Sequence, residues 1–532
     1  MSQQIYKILA GSTLPGVAVE EVGSKAWNLM RMAAAGLPVP PAFVLPTSWC
    51  RRIKAGTDEK SIDSCFSSGI AILEAATNLG FGSRRRPLLV SVRSGGAVSM
   101  PGMLETVLNI GVNVETVEGL VGCTGNPRLA WDCYRRLVQG YSEVVQGLPR
   151  GPFDEAVTRS LSRAQVESQC ELDYRALRDL TGNLLELFRE LAGVPFPEDP
   201  RQQLRQAALA VFHSWDSPKA VVYRKANGVG DAGGTAVTVQ RMVFGNASGA
   251  SGSGVAFTRN PADGAPELYL DFQFHAQGED IVAGRAALHG GEALERVLPS
   301  AWRQLKEAAK TLEALFRDAE DFEFTIESGT LCLLQARSAK RTPWAALRIA
   351  VDQVNEGLIN VSDARSRLTS IDLGSIVRTR LANSGLKALV RAQGASIGVA
   401  SGAIAFDSAA ATRMASNGTP VILVRREAET ADFSGMLSAA GILTAVGGRT
   451  SHAAVVARQL GKVCLVACPE LQIDLDRRTC RIGDRAMHEG DYLSLDGNDG
   501  CVYVGQLEVI TERPERELAA IESWPETAPQ AS

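Results

Sequence analysis

The chain predicts a mixed α/β and α+β architecture spread over several domains, and three observations carry that expectation. Its 532 residues exceed what one compact core organises, so two to four domains follow. A hydrophobic fraction of 45% and a charged fraction of 21% are those of an ordinary globular chain with a large interior. The patterning also switches along the sequence, from helical spacing to strand-like runs and back, which one repeated unit would not do.

The elements follow in order. Over residues 1 to 110, helical patterns alternate with short apolar runs such as PLLVSVRS. Residues 111 to 215 are helix-rich: WDCYRRLVQGYSEVVQGL and LRDLTGNLLELFRELAG carry apolar residues at three- and four-residue intervals. From 234 to 337, GTAVTVQRMVF, SGVAFTRNP, ELYLDFQF, FEFTIE and LCLLQAR read as strands. Helix returns in TPWAALRIAVDQVNEGLINVSDARSRL, residues 371 to 395 read as a connector, and 396 to 508 form a compact unit of short strands and helices. The closing RPERELAAIESWPETAPQAS is polar and rich in Pro and Ala, the composition of a frayed tail. These changes place a domain at 1–341 with a helical insertion at about 111–215, a helical linker at 342–395, a second domain at 396–508 and a tail at 509–532.

Composition narrows the function classes. A net charge of −4 offers no basic field for nucleic acid or an anionic membrane surface, which favours small-molecule chemistry. The ten cysteines make no CxxC pair and fit reduced thiols better than a disulfide framework or a zinc site; Cys464 and Cys468 in LGKVCLVAC read as core of a buried strand. The opening MSQQIYKILAGS has neither a secretory leader nor a spanning segment, so a cytoplasmic location is expected.

Within the strand-rich stretch, DFEFTIESGTLCLLQAR reads as a hairpin turning at Ser328-Gly329. Asp321 and Glu323 share one face of the first strand, and Gln335 and Arg337 share one face of the second. A three-residue loop, Ser328 to Thr330, sets 323 opposite 335 and 321 opposite 337; a two-residue turn puts the pairs on opposite faces. In the first register, two carboxylates, an amide and a guanidinium line one surface suited to Mg²⁺ and the phosphates it carries. The alternative is a solvated face with a surface ion pair. Two glycine-rich stretches, SVRSGGAVSMPGM and FGNASGASGSGVAF, let backbone N–H groups approach phosphate oxygens, although neither is a GxxxxGK[ST] loop. Arg93, at a strand end in the first, is either a phosphate ligand or a surface residue.

In VGGRTSHAAVVARQLGK, Thr450 or Ser451 can cap a helix from about 452 to 460, which places His452 in its first turn. The unpaired N–H groups and positive dipole end there stabilise an anion on the ring and favour the neutral, nucleophilic imidazole. No second histidine or carboxylate cluster lies at ligand spacing, so a metal role is disfavoured. A structural histidine beside an apolar helix is the competing reading.

GGRTSHAAVVAR resembles the phosphohistidine signature of the phosphoenolpyruvate-utilising enzymes. The remaining blocks, GSKAWNLMRMAAAGLPVPPAFVL, LLVSVRSGGAVSMPGMLETVLNIG, WDCYRRLVQGYSEVVQGL, GTAVTVQRMVFGN, SGVAFTRNP, AQGEDIVAG and FEFTIESGTLCLLQARSAKR, are similar in order to the pyruvate, phosphate dikinase family. The resemblance covers residues 5 to 508. It implies an ATP-grasp nucleotide-binding domain followed by a swivelling phosphohistidine domain, in an ATP- and Mg²⁺-dependent kinase. ATP is cleaved, the histidine is phosphorylated, the γ-phosphoryl group goes to phosphate, and AMP leaves. Position by position it implies that Lys25 and Arg93 bind ATP phosphates and that Glu279 contacts the ribose. It makes Asp321, Glu323 and Gln335 the magnesium surface with Arg337 on the phosphates, and His452 the phosphorylated residue. Thr450 matches a regulatory phosphosite of plant members.

Two departures shape the expectation. Where the family has a double glycine before the lysine, VGSKA keeps one. The family continues into a TIM barrel of about 250 residues, for which the stretch after GQLEV is too short, so no barrel is expected here. The acceptor is then a small molecule bound directly or held on a separate barrel-like subunit, with phosphate or water taking the γ-phosphoryl group; a homo-oligomer is allowed. The alternative is a catalytically silent nucleotide-binding module with a regulatory or scaffolding role.

Overall fold

The computed structural model describes residues 5–56, 59–98, 100, 103–166, 168–226, 228, 230, 233–282, 290–382, 387–428, 432–449 and 451–525, and within them all side chains but those of 59–61, 226, 279, 282 and 452. The fold is mixed α/β in two compact units: Met1–Ser251 with Thr325–Ala336, and Gly252–Phe324 with Arg337–Ser532. Among the described residues no sheet closes into a barrel, and no helix is long and apolar enough to cross a membrane.

The first unit is built on five strands, Tyr6–Ile8 (β1), Ala42–Leu45 (β2), Val90–Gly95 (β3), Thr106–Ile110 (β4) and Ala236–Arg241 (β5), in the order β1–β2–β5–β3–β4. The sequence VSVRSG pairs antiparallel with AVTVQR so that Val92 opposes Val239, Ser91 opposes Gln240 and Arg93 opposes Thr238. Period-two alternation therefore sends Val90, Val92, Val237 and Val239 into one core and turns Ser91, Arg93, Thr238 and Gln240 to the other face. Helices Glu59–Thr77, Pro127–Val144, Tyr174–Ala192 and Pro200–His213 supply the rest of that core through Ile62, Leu137, Leu184 and Val211. The helical spacing legible between 111 and 215 is the apolar stripe of these helices.

Among the polar groups buried in this helical layer is the carboxylate of Asp132. Burial alone would raise the carboxyl pKa of Asp132, but Arg136, Arg135 and Arg128 outweigh it and hold the group well below the usual carboxylate range. Arg135 Nη2 and Arg136 Nε donate to it at 2.7 and 2.9 Å. Asp132→Asn leaves Arg135 buried beside a neutral partner and is expected to cost about 3 to 5 kcal/mol in denaturant unfolding. Because the folded pKa is depressed, the wild-type contribution is complete above the unfolded carboxyl value and is lost as pH falls below about 4. The variant should lack that part of the acid slope.

The second unit contains the strands Gly252–Phe257 (β6), Tyr269–Phe274 (β7) and Glu320–Glu327 (β8), followed in chain order by Thr330–Ser338 (β9); the sheet order is β9–β8–β6–β7, and the division between the units runs through the β8–β9 hairpin. Helices Pro343–Asn355 and Val361–Leu368 follow. An eight-stranded sheet comes next, from Val390–Arg391 (β10), Gln393–Ser396 (β11), Val399–Ala405 (β12), Val421–Arg425 (β13), Gly441–Thr444 (β14), Val463–Val466 (β15), Tyr492–Asp496 (β16) and Cys501–Val504 (β17). Its order is β10–β17–β16–β12–β13–β14–β15–β11. The four central strands β12 to β15 are parallel, and VILV, GILT and VCLV are buried on both faces, as crossover helices demand. Cys464 sits within that core, where burial pushes its thiol up to about 12.

Two stretches differ from the sequence expectation. Within the connector, Arg378–Leu381 is a strand, and it pairs antiparallel with Val509–Glu512. The expected frayed tail is therefore ordered through residue 525: helix Glu515–Glu522 follows, and Leu518, Ile521 and Trp524 pack on the cluster of Leu347, Ile359 and Leu368. Spaced three apart, these residues form an apolar stripe that the polar composition conceals. Residues 526 to 532 lie outside the described residues.

Candidate functional site

In the first unit the two segments GSK and SVRSGG lie flush against each other. Helix α1, Val19–Ala34, is broken at Gly23, whose φ of 78° and ψ of 153° are not helical. A Cβ there would lie 2.2 Å from the carbonyl oxygen of Gly95, so glycine is required both by conformation and by the close approach. Ser24 N–H and Oγ both donate to Gly96 O, at 2.9 and 3.1 Å. Lys25 thus enters the first turn after the break, two residues from a contact whose other side is two residues beyond Arg93. Gly23→Ala should push the two segments apart, costing about 2 to 4 kcal/mol. Thermal unfolding and nucleotide titration would check it, the latter with at least about tenfold weaker binding.

The same unit carries Gln335, since Asn28 of α1 donates to Ala336 O at 2.9 Å. On the Arg93 face of the sheet, Thr238 and Gln240 are buried, and Thr238 Oγ1 and Gln240 Oε1 lack a hydrogen-bond partner among the described residues. A buried polar atom left unsatisfied is costly, and a polar ligand would relieve it. Sequence reasoning passed over these two, although the alternation in VTVQ against VSVRS carries the signal.

In the second unit the structure brings Asp321 and Arg337 together: Arg337 Nε donates to Asp321 Oδ2 at 2.8 Å. The turn is Ser328-Gly329, both at positive φ (49° and 82°), so the loop has two residues and the simple register would have placed the pair on opposite faces. Alternation breaks instead at Leu333 and Leu334, consecutive and both buried, and Leu333 N–H bonds Pro38 O. The break in alternation in β9 accompanies a meeting of Asp321 with Arg337 that a two-residue loop and strict alternation would not give.

Asp321 is 6% exposed, and its Oδ1 has no hydrogen-bond partner among the described residues. Burial raises its pKa against the pull of Arg337, while Arg337, also desolvated, is held charged by Asp321 and Glu323. Glu323 shares the Asp321 face of β8. Among the described residues no group of three His, Cys, Asp or Glu could hold a metal ion alone. Two carboxylates, one with a buried oxygen that has no hydrogen-bond partner among the described residues, fit magnesium that takes its remaining ligands from phosphate and water.

His452 opens helix α2, His452–Gln459, which links β14 to β15. Ser451 is the N-cap and accepts from Ala454 N–H at 3.5 Å, and Ser451 N–H bonds Gly448 O at 3.0 Å. Ala453, Ala454, Val456 and Ala457 are buried on the sheet. Position 452 therefore lies in the electropositive first turn. The side chains of His452 and Glu279, and Thr450, lie outside the described residues. Arg449 and Arg458, within the same motif, also escaped the sequence reading; an arginine in a helix otherwise of alanine and valine is the signal.

Residues 62–288 match the family described as pyruvate phosphate dikinase, AMP/ATP-binding domain, and residues 418–500 match the PEP-utilising enzyme, mobile domain. The chain is 41% identical over 514 residues to pyruvate, phosphate dikinase of Clostridium symbiosum, covering 96% of this chain and 58% of that protein. It is 41% identical over 513 residues to the chloroplastic pyruvate, phosphate dikinase of Flaveria pringlei (94% and 53%) and 38% over 548 to the pyruvate, phosphate dikinase of Rhizobium meliloti (98% and 60%). The chain thus spans 53 to 60% of the length of these relatives.

Proposed function

The chain carries the AMP/ATP-binding and mobile domains of the pyruvate, phosphate dikinase family, and we propose that it is an ATP-dependent phosphotransferase that phosphorylates its own His452 and passes the group on. The observation that carries this reading is His452 at the capped amino end of α2, inside the stretch that matches the mobile domain.

The imidazole attacks the β-phosphorus of ATP. The α–β bridging P–O bond breaks and AMP leaves. The γ-phosphoryl group passes to inorganic phosphate, giving pyrophosphate, or to water, and the β-phosphoryl group stays on the ring. Lys25, Arg93 and Arg337 offset the charge of the moving group, the largest single contribution open to a site without covalent help from other residues. Asp321, Glu323 and Gln335 would hold a magnesium ion, which would supply neutralisation of phosphate charge. Glu279 orients the ribose. The mobile domain swivels on its connecting strands to deliver the phosphohistidine to its acceptor, a small molecule bound directly or on a separate barrel-like protein.

Incubation with β-labelled ATP, Mg²⁺ and phosphate should give one acid-labile, alkali-stable label per chain and an equal amount of AMP. ATP binding with neither product would instead fit a silent nucleotide-binding module.

A further inference from the structure

Within the second unit one tyrosine touches both the histidine loop and strand β11. Phe257 on β6 pairs directly with Tyr269 on β7, and Val255 with Asp271, so Phe257, Tyr269 and Asp271 share a sheet face. Tyr269 Oη donates to Gly394 O on β11 at 3.0 Å. The guanidinium of Arg449 lies 4.7 Å from the centroid of the Tyr269 ring. Arg458, 1% exposed, completes the arrangement: its Nη1 donates to Ala395 O and to Arg449 O, both at 2.8 Å, and its guanidinium lies 5.5 Å from the Phe257 ring. Arg458 thus staples strand β11 to the histidine loop, and Tyr269 touches both stapled segments.

Resting on the reading that His452 is phosphorylated, we propose that Tyr269 is the anchor on which the histidine loop takes its register, with Arg449 as its counterpart. Both are positioning residues for the transfer. Arg449 stands three residues before His452, so fixing its guanidinium on the ring fixes where the helix begins. Arg449 also has the properties of a releasable contact. Its Nε is buried without a hydrogen-bond partner, and no carboxylate bridges it among the described residues. A ring stack on the loop and one hydroxyl bond to the adjoining strand hold the two segments more weakly than a buried ion pair would, which suits a domain that must leave again.

The test uses the full chain with Tyr269→Leu, Arg449→Met, the double variant, and the shape-conserving Tyr269→Phe and Arg449→Lys. In the unliganded protein, hydrogen exchange of residues 447–449 should quicken about tenfold in each single variant and no further in the double, because Arg449→Met removes a contact that Tyr269→Leu already removes, while exchange of 394–396 should quicken in the variants that lose the Tyr269 hydroxyl. The rate of β-label incorporation should fall about tenfold in the same pattern while ATP affinity is unchanged, and the shape-conserving variants should lie between. Unchanged exchange at both segments, or additive losses in the double variant, would overturn the proposal. Wild-type protein that takes up no label would defeat the phosphotransfer reading alone, since the exchange measurements do not depend on it.

Discussion

Replacing His452 with alanine abolishes uptake of the β-phosphoryl group of ATP, lowering it by at least about a thousandfold, as loss of a nucleophile does elsewhere. ATP still binds with about wild-type affinity, because the residues assigned to its phosphates, Lys25 and Arg93, lie on other elements. AMP release should fall in step with the label, since in the proposed mechanism the bond to AMP breaks only as the imidazole takes the β-phosphorus. The helix itself survives: Ser451 caps it and Ala453, Ala454, Val456 and Ala457 pack it, so the thermal transition stays within a few degrees of wild type. Labelling and AMP assays on the two proteins, with a melting curve for each, check all four expectations.

Arg337→Ala carries the second largest effect, in two parts. It leaves the buried Asp321 carboxylate without its ion-pair partner, which destabilises the protein by about 2 to 4 kcal/mol after allowance for the partial exposure of Arg337. In the proposed mechanism it also removes a guanidinium from the transferring phosphoryl group, which should slow labelling by about a hundred- to a thousandfold. Arg337→Lys separates the parts. The ammonium restores charge beside Asp321 and recovers most of the stability, but it lacks the planar fork that grips two oxygens, so the rate stays at least about tenfold low. Unfolding curves and single-turnover labelling on both variants are the check.

The hairpin shows how far the sequence reaches. Period-two alternation sorted Asp321 with Glu323 and Gln335 with Arg337, because side-chain direction in a strand is local. Whether the two faces meet depended on register, which is a property of the pair. The turn took the length that would have separated them under strict alternation, yet alternation breaks at Leu333-Leu334 and Asp321 meets Arg337. The adjacent leucines in LCLLQAR were the local trace of that break. The helical layer of the first unit and the parallel strands of the second were legible for the same reason as the strand faces: their apolar periodicity is set by burial on one or two sides.

What stayed hidden depends on contacts far apart in sequence. Thr238 and Gln240 became candidates only once β5 paired with β3 and set them on the Arg93 face. Arg458 looks misplaced in an apolar helix until Ala395 O and Arg449 O are seen to receive it. The closing helix at 515–522 is polar in sum, and three apolar residues suffice to dock it once a core exists beside them.

The most direct test of the central claim is to locate the phosphoryl group. Protein incubated with ATP, Mg²⁺ and phosphate, digested under alkaline conditions and sequenced by mass spectrometry, should carry a single phosphate, on the imidazole of His452. A phosphate mapped to any other residue, or none at all while ATP is converted to AMP, would contradict the account.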